Sequence, residues 1–541
     1  GGNLSDLSDP HQMKDMDRLV EILAQKIRKQ VHIRIIGDYD VDGVTSSHLF
    51  LTALRRVGAK VDVVIPHRIQ DGYGLSLHLL QQAKEDGVDT ILTCDNGIAA
   101  IDEIAWAKAQ KMTVLVTDHH AVPFEEHEGR RTEKKSLADA VVNPHQQDCR
   151  YPYKELCGAG VAWNVIRVLY ENYDMDKREA EDLLDFVAMA TVCDVMSLTG
   201  ENRILVKEGL KRIRHTKNIG LQALMQACNV QPENISAYHF GYVLGPCVNA
   251  TGRLDTARHA LRLFETGQET EAEEIARDLV DLNQERKELT LQGVEMAKKL
   301  CEEGGYENDP VLVLFLPDVH ESIAGLIAGR IREMYNRPVF VLTRGEEGVK
   351  GSGRSTENYS MYENMCGCAE LFTKFGGHPM AAGLSLPEEN VEKFRRKINE
   401  NCPLTVEEVC PDIHIDMAMP VGYASTELVH QFALLEPFGK DNPSPLFADR
   451  NLSISRMWVI GKNRNVLRMS VLSEYGQPVP VIFFGDVETL FAYFTEKFGQ
   501  EEVENALHGR KNRILFSMVY TAKVDFYQGN ENLQLEMKYY R

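Results

Sequence analysis

The sequence predicts an α/β fold in which two α/β domains are joined by a long helix and followed by an OB-like β-barrel, and three patterns carry that expectation. In the first part of the 541-residue chain, short β-branched apolar runs alternate with helical stretches, the signature of parallel strands buried between helices. From Gln268 to Leu300 there is no proline and little glycine, and apolar residues recur at helical spacing, as in one long amphipathic helix. After about Cys410 short alternating stretches replace the helical pattern, which favours a small barrel.

Helical periodicity over Met13 to Gln30 leads into the β-rich run Val31 to Ile36. The apolar runs Lys60 to Ile65, Thr90 to Thr93 and Met112 to Val116 are separated by helical stretches at Ser76 to Glu85 and Ile98 to Ala109. An open, doubly wound sheet is expected, and in such sheets ligands bind beyond the carboxyl ends of the strands. The long helix presents Ile275, Leu279, Leu282, Leu289 and Met296 as its apolar stripe and reads as a connector. Pro310 to Leu316, Ser322 to Met334 and Pro338 to Leu342 then restart a strand-helix-strand unit. Barrel strands are expected at Ile413 to Met417, Leu452 to Ile460, Val466 to Val471, Val479 to Phe484, Ile514 to Phe526 and Leu533 to Met537, with turns at Gly461-Lys-Asn and Gln528-Gly-Asn. Such a barrel serves nucleic-acid binding or a structural, protein-binding role.

Composition narrows the class. With 43% hydrophobic and 26% charged residues, 40 Gly and 20 Pro, the chain is neither disordered nor fibrous. Its longest purely apolar stretch is Val311 to Leu316, far short of the roughly 20 residues of a membrane span, so no membrane partner is expected. The start, Gly1-Gly2-Asn3-Leu4, lacks the layout of a secretory signal and looks like a cloning remnant, which makes a cytoplasmic location the expectation. The 11 cysteines include no CxxC pair and a single CxC, Cys366-Gly-Cys368, indicating neither a disulfide framework nor a zinc ribbon. A net charge of −20 argues against sequence-independent coating of nucleic acid, while leaving room for a local basic channel.

Acids and imidazoles gather after the strands. Gly37-Asp38-Tyr39-Asp40-Val41-Asp42-Gly43 follows the first run, with a helix expected from Val44; Cys94-Asp95-Asn96-Gly97, Thr117-Asp118-His119-His120 and Ala190-Thr-Val-Cys193-Asp194 follow later ones. Any one fragment reads as a turn or helix cap. Together, at the strand ends of one sheet, they would repel unless cations neutralised them. Carboxylate and imidazole donors suit Mn2+ or Mg2+, and a pair of such ions is the common device for phosphoryl displacement.

The blocks Asp38-Tyr-Asp-Val-Asp-Gly43, Asp95-Asn-Gly97, Asp118-His-His120 and Asp194 resemble the successive motifs of the DHH phosphoesterase superfamily. Pro66-His-Arg-Ile-Gln-Asp-Gly-Tyr-Gly74, Gly245-Pro-Cys-Val-Asn-Ala-Thr-Gly-Arg253, Gly376-Gly-His-Pro-Met-Ala-Ala-Gly383 and Pro437-Phe-Gly-Lys-Asp-Asn-Pro-Ser-Pro-Leu-Phe447 narrow the resemblance to the RecJ family of bacterial single-strand-specific 5′→3′ DNA exonucleases. It covers nearly the whole chain. The resemblance implies Asp40, Asp42, Asp95, His119 and Asp194 as ligands of two Mn2+ or Mg2+ ions, with Asp95 bridging. Asp38, Asp118 and His120 are the implied catalytic residues, with Asp38 supporting or joining the first ion and His120 contacting the scissile phosphate. Where many relatives have a His four residues before the second Asp of the first block, this chain has Ile36, so the coordination of the first ion is expected to differ.

The second α/β domain resembles the DHH-associated domain, which in this family holds the 5′ end. Arg68, Asn249, Arg253, Ser352, Arg354, Gly376, Gly377 and His378 are the implied phosphate and DNA contacts, guanidinium forks and exposed backbone being suited to phosphate. His378 reads equally as a structural histidine. The implied division is 1–265, a DHH domain with an N-terminal helix; 266–305, the connector helix; 306–405, the DHH-associated domain; and 406–541, the OB-like barrel. Relatives carry a segment before the block matching Asp9 to Met16, leaving open a shorter form or a trimmed chain.

The resulting expectation is a two-metal exonuclease that releases 5′-mononucleotides from single-stranded DNA in recombination and repair, with a single-strand-binding protein and a helicase as implied partners. Oligoribonucleases and cyclic-dinucleotide phosphodiesterases of the same superfamily are alternatives that leave the barrel unexplained. A non-catalytic replication scaffold is a further alternative, against which the intact acids speak.

Overall fold

The computed structural model describes residues 2–541 except 69–70, 73, 128–129, 307–308, 346–347, 405–412, 462–464 and 528–529. Parts of the block Pro66 to Gly74, the boundary at 405/406 and most of the two expected barrel turns therefore lie outside the described residues. The chain forms two compact units, 2–411 and 412–541.

In the first unit, β1 (Ile33–Ile36), β2 (Val61–Val64), β3 (Thr90–Cys94) and β4 (Thr113–Thr117) are followed by a hairpin, β5 (Phe124–His127) and β6 (Arg130–Glu133), and then by β7 (Ala140–Val142). Apart from the hairpin these strands make a parallel sheet in the order β2-β1-β3-β4-β7. Strands β1 and β3 are buried throughout, because helices cover both faces. Ile33, Ile35, Leu92 and Cys94 face one core together with Val44 and Phe50 of the helix that follows β1. Ile36, Ile91 and Val116 face the other, together with Ile104 of the helix that follows β3. The helices after β1 and β3 thus leave on opposite faces, and the chain opens a crevice between the ends of these two strands, where ligands bind in open α/β sheets.

The helix Glu269–Glu303 runs from one core into the next: Ala272, Ile275, Ala276 and Leu279 pack in the first, and Val294, Ala297 and Cys301 in the second. The expected stripe is corrected at Met296, which is exposed. The buried face turns instead on small residues, Ala297 and Gly293, where a Cβ would lie 2.3 Å from Ile327 Cδ1. Beyond it, β8 (Leu312–Phe315), β9 (Val339–Gly345), β10 (Gly348–Arg354), β11 (Lys374–His378) and β12 (Ala381–Leu386) form a mixed sheet in the order β11-β12-β10-β9-β8. Only β8 and β9 pair in parallel, through the crossover helix Ala324–Tyr335. Two of the strands, β10 and β11, are glycine-rich, and close packing is one reason: a Cβ on Gly353 would fall 2.4 Å from Met361 Sδ and 2.7 Å from Phe340 Cε1.

The second unit holds β13 (Met417–Ala418), β14 (Phe447–Ile460), β15 (Val466–Leu472), β16 (Pro478–Phe484), β17 (Leu515–Tyr527) and β18 (Asn530–Tyr540). Their order is β13-β14-β15-β16-β18-β17, and β14 pairs again with β17, so that β14, β15, β16, β18 and β17 close into the five-stranded ring of an OB barrel with β13 appended to β14. Helices are not absent here, contrary to the sequence pattern: Thr426–Phe432, Val487–Phe498 and Gln500–Leu507 are helical. Leu490 and Phe494 pack in the barrel core beside Met457, Met469 and Phe516, in the stretch between the expected strands ending at Phe484 and starting at Ile514. Among the described residues no helix is long and apolar enough to cross a membrane.

Candidate metal centre and anion pocket

Five backbone segments converge on the crevice. After β1 the chain turns through Gly37 and Asp38, and the next helix begins at Val41 rather than Val44, with the Asp40 side chain accepting from the Gly43 amide at 3.0 Å. Asp40 is thus the N-cap, a position that favours Asp, and Asp42 lies in the first turn. Asp42 is fixed from outside, by the Gly158 and Ala159 amides at 2.6 and 2.7 Å, which open the helix Gly158–Asn172. Asp38 is buried and accepts from the Gly74 amide at 3.4 Å.

Asp95, just after β3, holds a left-handed backbone with φ 61, the kind of strain that persists where surroundings over-determine a site. After β4, Asp118 accepts from the amides of Ile98, His119 and His120, and also from His120 Nδ1 at 2.8 Å. Asp194 is corrected in position: it is the C-cap of the helix Leu184–Cys193, not a strand end. Even so, it reaches the same centre, with Oδ2 3.6 Å from His119 Nε2. That nitrogen is also 3.1 Å from Asp95 Oδ1 and 3.7 Å from Asp42 Oδ2.

The electrostatics identify what belongs between these groups. Burial, reinforced by neighbouring acids, raises the carboxyls of Asp38 and Asp95 well above the ordinary range and that of Asp42 to about 6. Burial and His120 hold the His119 imidazole down at about 3, so it is neutral. Its backbone hydrogen bond is to Leu156, and Nε2 has no hydrogen-bonding partner among the described residues. The proton therefore sits on Nδ1, and the Nε2 lone pair faces three carboxylates. A lone pair and carboxylates converging in a buried space fit a divalent cation and little else. Ligand atoms of Asp38, Asp40 and Asp95 lie within 4.8 Å of one another, as do those of Asp42, His119 and Asp194, and those of Asp95, His119 and His120. Asp95 is common to two of these groups. Burial lowers His120, but its hydrogen bond to Asp118 and the surrounding acids outweigh this and raise it to about 9. Ile36 is fully buried among Leu79, Leu80 and Ile91, so the centre assembles without a ligand at that position.

Beside the centre is a cavity of about 490 Å3 lined by Tyr39, Arg68, Lys350, Ser352, Lys374 and Gly376, among others. Arg68 stacks over Tyr39, its guanidinium carbon 4.8 Å from the ring centroid. Arg253 donates to the Ser322 carbonyl at 2.6 Å, and Arg354 to the Gly353 carbonyl at 2.7 Å. Burial and mutual repulsion with Arg68 and other arginines lower Arg253 to about 9, and burial with Arg68 and Arg332 lowers Arg354. None of Arg68, Arg253 and Arg354 pairs with a carboxylate among the described residues, so clustered positive charge is left for an anion. Gly376 offers open space, with no atom within 4 Å of where a Cβ would stand. Asn249 does something other than face the cavity: its Oδ1 accepts from the Val41 amide at 3.2 Å, pinning the first acidic turn. Gly377 and His378 are exposed at the end of β11 and do not line the cavity.

Sequence reasoning misses Gly158 and Ala159, while Gly43 stands in the quoted acidic block. A Cβ on Gly158 would fall 2.6 Å from Asp95 Cβ, and one on Gly43 would fall 2.5 Å from the Asp38 backbone. The Gly-Ala-Gly opening of a helix is the available signal.

The sheet, the acids at its crevice and the adjoining mixed-sheet domain define a DHH-type phosphoesterase. Residues 32–191 match the DHH family, N-terminal domain; 308–402 match the DHHA1 domain; and 415–539 match the RecJ OB domain. The single-stranded-DNA-specific exonuclease RecJ of Haemophilus influenzae is 32% identical over 99% of this chain and 92% of its own length. That of Bacillus subtilis is 33% identical over 87% of this chain, which spans 59% of the Bacillus protein. The crystal structure of RecJ from Thermus thermophilus in complex with Mn2+ superposes with TM-score 0.78 at 26% identity, covering 98% of this chain and 72% of that one. The chain belongs to the RecJ family.

Proposed function

We propose that this protein is a two-metal, single-stranded-DNA-specific 5′→3′ exonuclease that hydrolyses phosphodiesters to 5′-mononucleotides, acting in recombination and repair. The observation that carries the reading is that Asp95 is shared between two ligand groups beside a cavity lined by Arg68, which, like Arg253 and Arg354, pairs with no carboxylate among the described residues. Asp38, Asp40, Asp42, Asp95, His119 and Asp194 hold two Mn2+ or Mg2+ ions, as suits oxygen and imidazole donors. When bound, such ions supply an acidified water and neutralise charge on the attacking and leaving oxygens.

The chain's own residues do the rest. Asp118 holds Nδ1 of His120, turning the opposite edge of a largely cationic imidazole toward the phosphate, where it binds an oxygen and can release a proton to the leaving group. Arg68, Arg253, Ser352 and Arg354 hold the 5′ phosphate beside the backbone at Gly376, while Gly377 and His378, exposed at the end of β11, lie outside that cavity. Asn249 keeps the acidic turn in place.

The barrel offers a second contact for the strand. A cavity of about 530 Å3 is lined by Trp458, Arg468, Pro480, Asn532 and Gln534, among others, with the Arg456 guanidinium 5.7 Å from the Trp458 ring centroid. An exposed indole among cations suits base stacking. The division at 265/266, 305/306 and 405/406, a cytoplasmic location, and partnership with a single-strand-binding protein and a helicase complete the reading. Incubation with Mn2+ and labelled single strands tests it, and chelation should abolish the activity.

A further inference from the structure

We propose that Tyr238 and Tyr242 form a stacking platform for the nucleobase on the 3′ side of the scissile bond, an inference that rests on the single-strand nuclease reading above. The two rings already stack on each other, centroids 5.1 Å apart and planes 25° apart, although they are 62% and 71% exposed. Large aromatic rings held parallel in solvent are unusual for packing, whereas every base has a π-face that such a surface accepts without regard to sequence.

Their place in the fold gives the platform its occupant. Tyr242 lies in a π-helical turn, Phe240–Leu244, whose Phe240 and Leu244 are buried, and such turns occur frequently at functional sites. This turn is laid along the last turn of the helix that ends in Asp194. Cys193 Sγ donates to the Phe240 carbonyl at 3.3 Å, and Cβ atoms built on Gly241 and Gly245 would meet Val192 Cγ1 at 3.4 Å and Cys193 Sγ at 2.3 Å. The next residue after Asp194, Val195, is 61% exposed with φ 55.

The same segment continues as the helix Gly245–Leu254 to Gly252, where a Cβ would meet the Tyr39 carbonyl at 2.3 Å. Seven residues of helix span roughly 10 Å, so this helix marks an axis from Asp194 to Tyr39. Tyr39 lines the cavity assigned to the 5′ nucleotide. Asp38 and Asp40 flank Tyr39 in the chain and Asp194 follows Cys193, so the Asp38, Asp40, Asp95 group faces the Gly252 end and the adjoining Asp42, His119, Asp194 group the Gly245 end. A strand with its 5′ phosphate in the cavity and its first phosphodiester at the centre therefore continues past Asp194 and Val195, and the tyrosine pair is the aromatic surface it meets.

The test compares the parent chain with Tyr242→Ala, Tyr242→Phe and the double variant Tyr238→Ala/Tyr242→Ala. Cleavage kinetics are measured on a 5′-phosphorylated single strand and on the same strand carrying an abasic second nucleotide. Binding of both strands is followed by fluorescence polarisation in chelator. The double variant should raise KM and weaken binding about tenfold on the intact strand, the size of one stacking contact. Tyr242→Phe should behave as the parent, and on the abasic strand the parent and the variants should coincide. Unchanged KM and binding in the double variant at an unchanged melting temperature would overturn the platform, as would an equal loss on both strands. A parent chain that neither binds nor cuts single strands would overturn the nuclease reading and the platform together.

Discussion

Nε2 of His119 stands 3.1 Å from Oδ1 of Asp95, a neutral ring nitrogen against a buried carboxylate. With its proton on the far side of the ring, the lone pair repels Asp95 whenever that carboxyl is ionised, and Asp42 and Asp194 around it likewise. The local fold nevertheless holds them there, through the Gly158 and Ala159 amides on Asp42 and the helix cap at Asp194. Geometry of this kind is preorganised for cations.

Asp95→Ala should abolish cleavage while leaving the chain folded. The bridging oxygen is lost, but a buried carboxyl that is costly to ionise goes with it, so melting in chelator should not fall. The stabilisation that Mn2+ gives the parent chain, about 2.7 kcal/mol at 100 times Kd, should shrink. Cleavage within about tenfold of the parent would remove Asp95 from the bridge.

Gly158→Ala should act on the centre from outside it. The added methyl meets Asp95 Cβ at 2.6 Å and Oδ1 at 2.8 Å, so the carboxylate or the helix start must shift, an overpacking strain of about 1–3 kcal/mol. Isothermal titration with Mn2+ should show weakened binding. Parent-like affinity and stoichiometry would mean that the crevice is looser than described.

Arg354→Ala should reduce the use of 5′-phosphorylated strands more than that of 5′-hydroxyl strands, because a guanidinium beside Arg68 and Arg253 matters most when the phosphate is there. Arg354 also packs against Gly325 and bonds the Gly353 carbonyl, so melting must be compared. Equal losses on both substrates would reassign it to folding or general backbone binding.

Much of this is legible in the sequence, for identifiable reasons. Acids at alternate positions directly after a β-branched run place Asp38, Asp40 and Asp42, and the same logic places Asp95 and His119, because parallel strands bring their carboxyl ends to one edge. Asp194 is noticed after an apolar run but reads as a strand end, since Leu184–Cys193, apolar except for Asp185 and Thr191 and buried in a core, shows no polar helical face. Gly158 and Ala159 escape because they act through backbone amides, which side-chain patterns do not record. Met296 misleads because the long helix buries small residues where it meets its neighbours. His378 is singled out by motif context, yet the end of β11 leaves it in solvent.

Removing the chain after Asn401 should separate short from long substrates, since residues 412–541 form a compact unit of their own. A folded truncation should still degrade very short oligonucleotides. Losing two stacking contacts at about 1–3 kcal/mol each weakens long-strand binding by roughly 30-fold to 10⁴-fold. Trp458→Ala in the full chain should produce part of the same loss. A folded truncation as processive as the full chain would take the barrel off the strand's path.

The central claim is tested most directly by following one long oligonucleotide, labelled separately at its 5′ and 3′ ends, single-stranded and in a blunt duplex, with Mn2+. The account predicts that the 5′ label leaves at once as a mononucleotide, that the 3′-labelled strand shortens stepwise, and that the duplex stays intact. Release of the 3′ label first, equal attack on the duplex, or no cleavage by a folded, Mn2+-binding chain would contradict it.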